Sequence, residues 1–77
     1  LEGDYLMCIV SLKSMTHAIK AQRALNEYGI ITEITKLEPH MTHNGCAYGI
    51  KFDCVNLYFV TGALTENHIF YTEILNL

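Results

Sequence analysis

DCVNLYFVTGALTEN, residues 53–67, is the stretch whose reading decides the fold. Its Val, Tyr, Phe and Thr residues favour a strand, and Gly62 interrupts either choice. Asp53, however, is placed to cap a helix, and Val55, Tyr58, Phe59 and Leu64 fall on one helical face. The stretch therefore reads as a helix. Working outward, YGIKF (48–52) before it is a short strand, and HIFYTEIL (68–75) after it alternates as a strand does.

Farther out, IITEITKL (30–37) mixes polar and β-branched residues and reads as an exposed edge strand. In SMTHAIKAQRALNEYG (14–29) the period changes. Ala18, Ala21, Leu25 and Tyr28 recur at helical spacing, Ser14 or Thr16 caps the start, and Gly29 stands where a helix ends. DYLMCIVSL (4–12) is a buried strand. The order is β-α-β-β-α-β. It predicts an α+β, ferredoxin-like two-layer sandwich: a four-stranded antiparallel sheet, strand order 4-1-3-2, with two helices on one face.

With 77 residues the chain is expected to be a single domain over 1–77, residues 1–3 being a flexible or cloning-derived start. Half of the composition is hydrophobic, at 51%, which argues against disorder and points to apolar surface covered by a partner or a second copy. Tyr28, Tyr58, Phe59 and Phe70 are assigned to the core or to such a homodimer contact. A net charge of −3 leaves no basic field for nucleic acid. No apolar run is long enough to span a bilayer. Three cysteines without regular spacing predict no disulfide framework and fit a reducing cytoplasm. Cys8 and Cys54 read as small buried hydrophobes. No phosphate-binding glycine loop, catalytic triad or carboxylate pair stands out, so a stand-alone enzyme is not expected, nor a cofactor.

The chemistry gathers in EPHMTHNGCAYG, 38–49. In the expected topology this loop shares one rim with the start of the first helix and the start of the last strand. His17, His40, His43, His68 and Cys46 all fall there. A helix N-terminus and a nearby imidazolium favour a thiolate, so Cys46 is the candidate nucleophile and His17 its expected partner. Asn44-Gly45 is a turn dipeptide. Ser14, Thr16, Pro39, Gly45 and Ala47 are the residues expected to position the thiol and what it binds.

SMTHAIKAQRALNEYGI followed by EPHMTHNGCAYGIKF resembles the small bacterial proteins grouped as selenium/sulfur carrier protein-like. The matching positions are Thr16-His17-Ala18, Gly29-Ile30, Pro39 and, seven residues on, Cys46. The resemblance spans about residues 4–75. It implies a cytoplasmic carrier that holds sulfur or selenium on Cys46 as a persulfide or selenosulfide. Such a carrier receives its cargo from a desulfurase-type donor and passes it to an acceptor protein. Two positions depart from the family pattern: Ala47 replaces a glycine and His40 an arginine. The second substitution adds a titratable ligand. It raises the alternative of a zinc or copper site built from His40, His43 and Cys46. A non-catalytic homodimeric interaction module is the third reading.

Overall fold

The computed structural model describes residues 6–43 and 45–76. The expected flexible start (1–3), the first two residues of the expected first strand and Asn44 of the expected turn lie outside the described residues.

Strand β1 (Met7–Leu12) is buried along nearly its whole length. Helix α1 (Met15–Glu27) follows it. The Ser14 backbone is extended, and its Oγ accepts the His17 N–H at 3.2 Å, as an N-cap should. Gly29, at φ +82°, ends the helix. Beyond it the Ile30 N–H donates to the Leu25 carbonyl and the Gly29 N–H to that of Asn26, both at 3.0 Å. This Schellman closure turns Ile30 into the core, so Ile30 is spent on the helix end. Strand β2 is therefore Glu33–Lys36, shorter than the expected 30–37.

A 3₁₀ turn (Pro39–Met41) leads toward strand β3 (Tyr48–Asp53). The deciding stretch is helical, entered through a second 3₁₀ turn (Cys54–Asn56) into helix α2 (Leu57–Glu66). Asp53 Oδ1 accepts the Val55 N–H at 3.0 Å. The entry turn re-phases the helix. Val60, Ala63 and Leu64 are its buried residues, and the expected face of Val55, Tyr58 and Phe59 points outward.

The end of α2 repeats the closure of α1. The Ile69 N–H reaches the Leu64 carbonyl at 2.8 Å, the His68 N–H that of Thr65 at 3.1 Å, and His68 takes φ +58°. Ile69 is buried by this turn. Strand β4 consequently starts late, at Glu73–Asn76 instead of 68–75.

The sheet order is β2-β3-β1-β4, which is 4-1-3-2 read from the other edge, and every pairing is antiparallel. Both helices lie on one face. Ala18, Ala21 and Leu25 of α1 and Val60, Ala63 and Leu64 of α2 share a core with Val10, Leu12, Ile50 and Phe52 of the sheet. The small alanines of α1 let its backbone approach the strands. Tyr28, Tyr58, Phe59 and Phe70 are not core residues, being 48%, 93%, 50% and 78% exposed. Tyr28 and Phe59 meet edge to face at 5.3 Å on the outer surface of the helical layer.

The expectation of three unpaired cysteines is corrected. Cys8 and Cys54 form a disulfide with a Cα–Cα distance of 5.0 Å. The register explains the pairing. Cys8 faces Phe52 across β1 and β3, and Cys54 lies just past the end of β3, its N–H bonded to the Leu6 carbonyl. The bridge removes one premise from which a reducing compartment was expected. Among the described residues no helix is long and apolar enough to cross a membrane.

Candidate functional site

The end of β1, the end of β2 and the starts of β3 and β4 meet at one end of the sheet: Leu12 pairs with Tyr48, Tyr48 with Lys36, and Ser11 with Glu73. Alternation along β1 sends Val10 and Leu12 toward the helices and Ser11 to the opposite face. That face is covered near β1 and β3 by the loop between β2 and β3. Leu37 and Cys46 are buried there without belonging to the main core, as is Ile9 of β1. Gly49, the cross-strand neighbour of Ser11, makes the cover possible. A Cβ on Gly49 would stand 2.7 Å from Ile9 Cγ2, 2.9 Å from the Val10 carbonyl oxygen and 3.4 Å from Leu37 Cδ1.

Cys46 is the free cysteine of the three and is 8% exposed. Its Sγ lies 3.1 Å from Thr72 Oγ1. Thr72 Oγ1 in turn lies 2.7 Å from Ser11 Oγ, a side chain with no exposure at all. Ser11 Oγ accepts the Glu73 N–H at 2.9 Å, and the Thr72 N–H donates to the Ser11 carbonyl at 3.0 Å. The loop is tied down at three points. The Leu37 N–H donates to the Ala47 carbonyl at 2.7 Å, and Thr42 Oγ1 donates to the Cys46 carbonyl at 3.5 Å. The His43 N–H donates to Glu73 Oε2 at 2.9 Å, with His43 Nδ1 at 3.4 Å from the same oxygen.

The sequence-predicted residues divide. Cys46, Gly45, Ala47 and His43 are brought together in the covering loop. Gly45 uses φ +72°, and Ala47 is not among the residues with positive φ, so alanine in place of glycine carries no backbone penalty there. Pro39 opens the 3₁₀ turn, with His40 exposed beside it. Ser14 and His17 are engaged with each other, Ser14 Oγ lying 2.7 Å from His17 Nδ1, and Thr16 is exposed on α1. Among the described residues no hydrogen bond joins His17 to Cys46; the sulfur turns to the face opposite the helices. His68 is engaged in closing α2.

The zinc or copper alternative is not assembled. Among the described residues no group of three His, Cys, Asp or Glu side chains is placed to hold a metal. Cys46 turns to Thr72, His43 to Glu73, and His40 to solvent. Ser11, Thr72 and Glu73 are the site residues that sequence reasoning missed. One signal was present in the sequence: Ser11 is a hydroxyl near the end of an apolar strand, and a buried hydroxyl needs partners.

A family model described as Putative Se/S carrier protein-like matches residues 7–76. No curated protein and no solved structure matches the chain.

Proposed function

Since the chain belongs to the Putative Se/S carrier protein-like family, we propose that it carries zero-valent sulfur or selenium on Cys46 between a desulfurase-type donor and an acceptor protein. The observation that carries this reading is the division of labour among the cysteines. Cys8 and Cys54 are consumed by a structural bridge, which leaves Cys46 as the free thiol, at the head of β3 and in the loop that holds the sequence's polar cluster. The thiolate of Cys46 attacks the outer sulfur of a donor persulfide. The donor's S–S bond breaks as the new one forms, the donor leaves as a thiolate, and Cys46 holds a persulfide. An acceptor thiolate then takes the outer sulfur by the same exchange and returns Cys46 to a thiolate. The cargo stays zero-valent throughout, so no external oxidant or reductant enters. Selenium follows the same exchange as a selenosulfide.

Cys46 is buried, so its sulfur has to be uncovered for this attack. The covering loop is the element that moves, and its ties to Glu73 and across Leu37 and Ala47 set how readily it lifts. The test is incubation with a cysteine desulfurase and cysteine, followed by peptide mass spectrometry. The peptide containing Cys46 is expected to gain the mass of one sulfur atom, and Cys46→Ala to gain none. Absence of the adduct from the wild-type chain, or its persistence in Cys46→Ala, sinks the carrier reading.

A further inference from the structure

Ser11 is fully buried, yet its hydroxyl proton has to go somewhere. The oxygen already accepts the Glu73 N–H at 2.9 Å. Among the described residues two acceptors are within reach of the proton: Thr72 Oγ1 at 2.7 Å and the Glu73 carbonyl oxygen at 3.4 Å. A hydroxyl bond is best at about 2.7–2.8 Å and poor beyond 3 Å, so the proton belongs on Thr72 Oγ1. Thr72 is then left with its own proton to donate, and Cys46 Sγ is 3.1 Å away. In that arrangement the hydrogen bonds run from the Glu73 N–H through Ser11 and Thr72 to the sulfur.

We infer that Thr72 and Ser11 form a hydroxyl relay that donates a hydrogen bond to the anionic sulfur of Cys46, Thr72 touching the reacting atom and Ser11 fixing the direction of its proton. This deepens the carrier reading and rests on it for its purpose: a persulfide carrier needs its sulfur anionic both to accept cargo and to leave on release. The relay also tolerates the neutral thiol. If Cys46 donates to Thr72, the chain reverses, and Ser11 falls back on the longer bond to the Glu73 carbonyl. The arrangement with the anionic sulfur uses the short contacts, and bonds to a charged acceptor are the stronger ones.

Among the described residues, the charged groups on the same face include the Glu73 carboxylate of β4 with His43 of the covering loop, held together, Lys51 of β3 with Glu33 of β2, paired at 3.7 Å farther along the strands, and Asp53 at the far end of β3. None of them is altered by a change at Thr72, which is itself an exposed residue and replaceable without opening the core.

The experiment measures alkylation of Cys46 by iodoacetamide across pH in the disulfide-intact chain. In Thr72→Val, alkylation at neutral pH is expected to slow about tenfold, near the lower end of the range for a hydrogen bond to a charged group because Thr72 is exposed. The whole pH profile is expected to move toward alkaline pH while the plateau rate at high pH stays that of the wild type. Thr72→Ser restores the profile, and Ser11→Ala moves it the same way by less. A change in mere access to the sulfur alters the plateau and leaves the profile in place. A Thr72→Val profile coincident with wild type, or displaced toward acid, overturns the relay, and Thr72→Ala repeats the comparison should the valine variant fail to fold. No sulfur donor enters this measurement. A displaced profile with no uptake from a desulfurase leaves the relay standing and the carrier reading lost; uptake with an undisplaced profile does the reverse.

Discussion

His68 is, among the described residues, the non-glycine residue with left-handed backbone, at φ +58°. There a side chain crowds the following carbonyl, at a cost of about 1–2 kcal/mol. The conformation is required, because it lets the Ile69 N–H reach Leu64 and carries Ile69 into the core. Glycine fills the equivalent place after α1, at Gly29. His68→Gly is therefore expected to stabilise the fold by about 0.5–1 kcal/mol, the relief of crowding outweighing the added freedom of the unfolded chain. The thermal midpoint should rise by about 4 °C, read by circular dichroism. A midpoint that stays or falls shows that the imidazole makes interactions worth more than the strain.

At the scale of elements, the loop that covers the open face of the sheet decides whether Cys46 is sheltered. It fits because Gly49 has no side chain beneath Leu37. In Gly49→Ala the new methyl meets Ile9 Cγ2 at 2.7 Å and the Val10 carbonyl at 2.9 Å, and a strand backbone cannot yield as a side-chain tip does. Overpacking of this kind costs about 1–3 kcal/mol. The variant is expected to unfold at lower denaturant and to expose Cys46 to alkylation faster than wild type, since strain at Gly49 lifts the cover. Alkylation no faster than wild type in the folded variant shows that the loop does not rest on this contact. The same elements show what was legible beforehand. Helix α1 was readable to its caps because its signals are local: an alanine face, Ser14 and Gly29. The deciding stretch was readable as a helix, but neither in its cap nor in its phase, because Asp53 caps a 3₁₀ turn that precedes α2 and rotates the face, while α2 itself starts after Asn56. The trimmed strands β2 and β4 were not readable, since Ile30 and Ile69 look like strand residues until helix closure claims them. The cover, and with it Ser11 and Thr72 beside Cys46, depends on register between distant strands. No local pattern records that.

For the molecule as a whole, the bridge between Cys8 and Cys54 joins positions 46 apart in a chain whose single core is small. Closing a loop of that length in the unfolded chain is worth about 4 kcal/mol by chain entropy, and native disulfides of small domains measure about 2–5 kcal/mol. The bridge therefore supplies a large share of a stability that for any domain of this size is marginal. Mild reduction is expected to lower the thermal midpoint by about 10 °C or more. The bridge is also far from Cys46. Cys8 precedes Ser11 by three residues on β1, about 10 Å along the strand, and points into the helical side, whereas Cys46 lies on the other face. Loss of the bridge should thus cost stability without touching the reactivity of Cys46. In the double variant Cys8→Ala and Cys54→Ala, the midpoint is expected to fall as it does on reduction. The alkylation profile of Cys46, measured well below that midpoint, is expected to match wild type. An unmoved midpoint denies the bridge its structural role. A displaced profile shows instead that the two sulfur sites are coupled through the sheet.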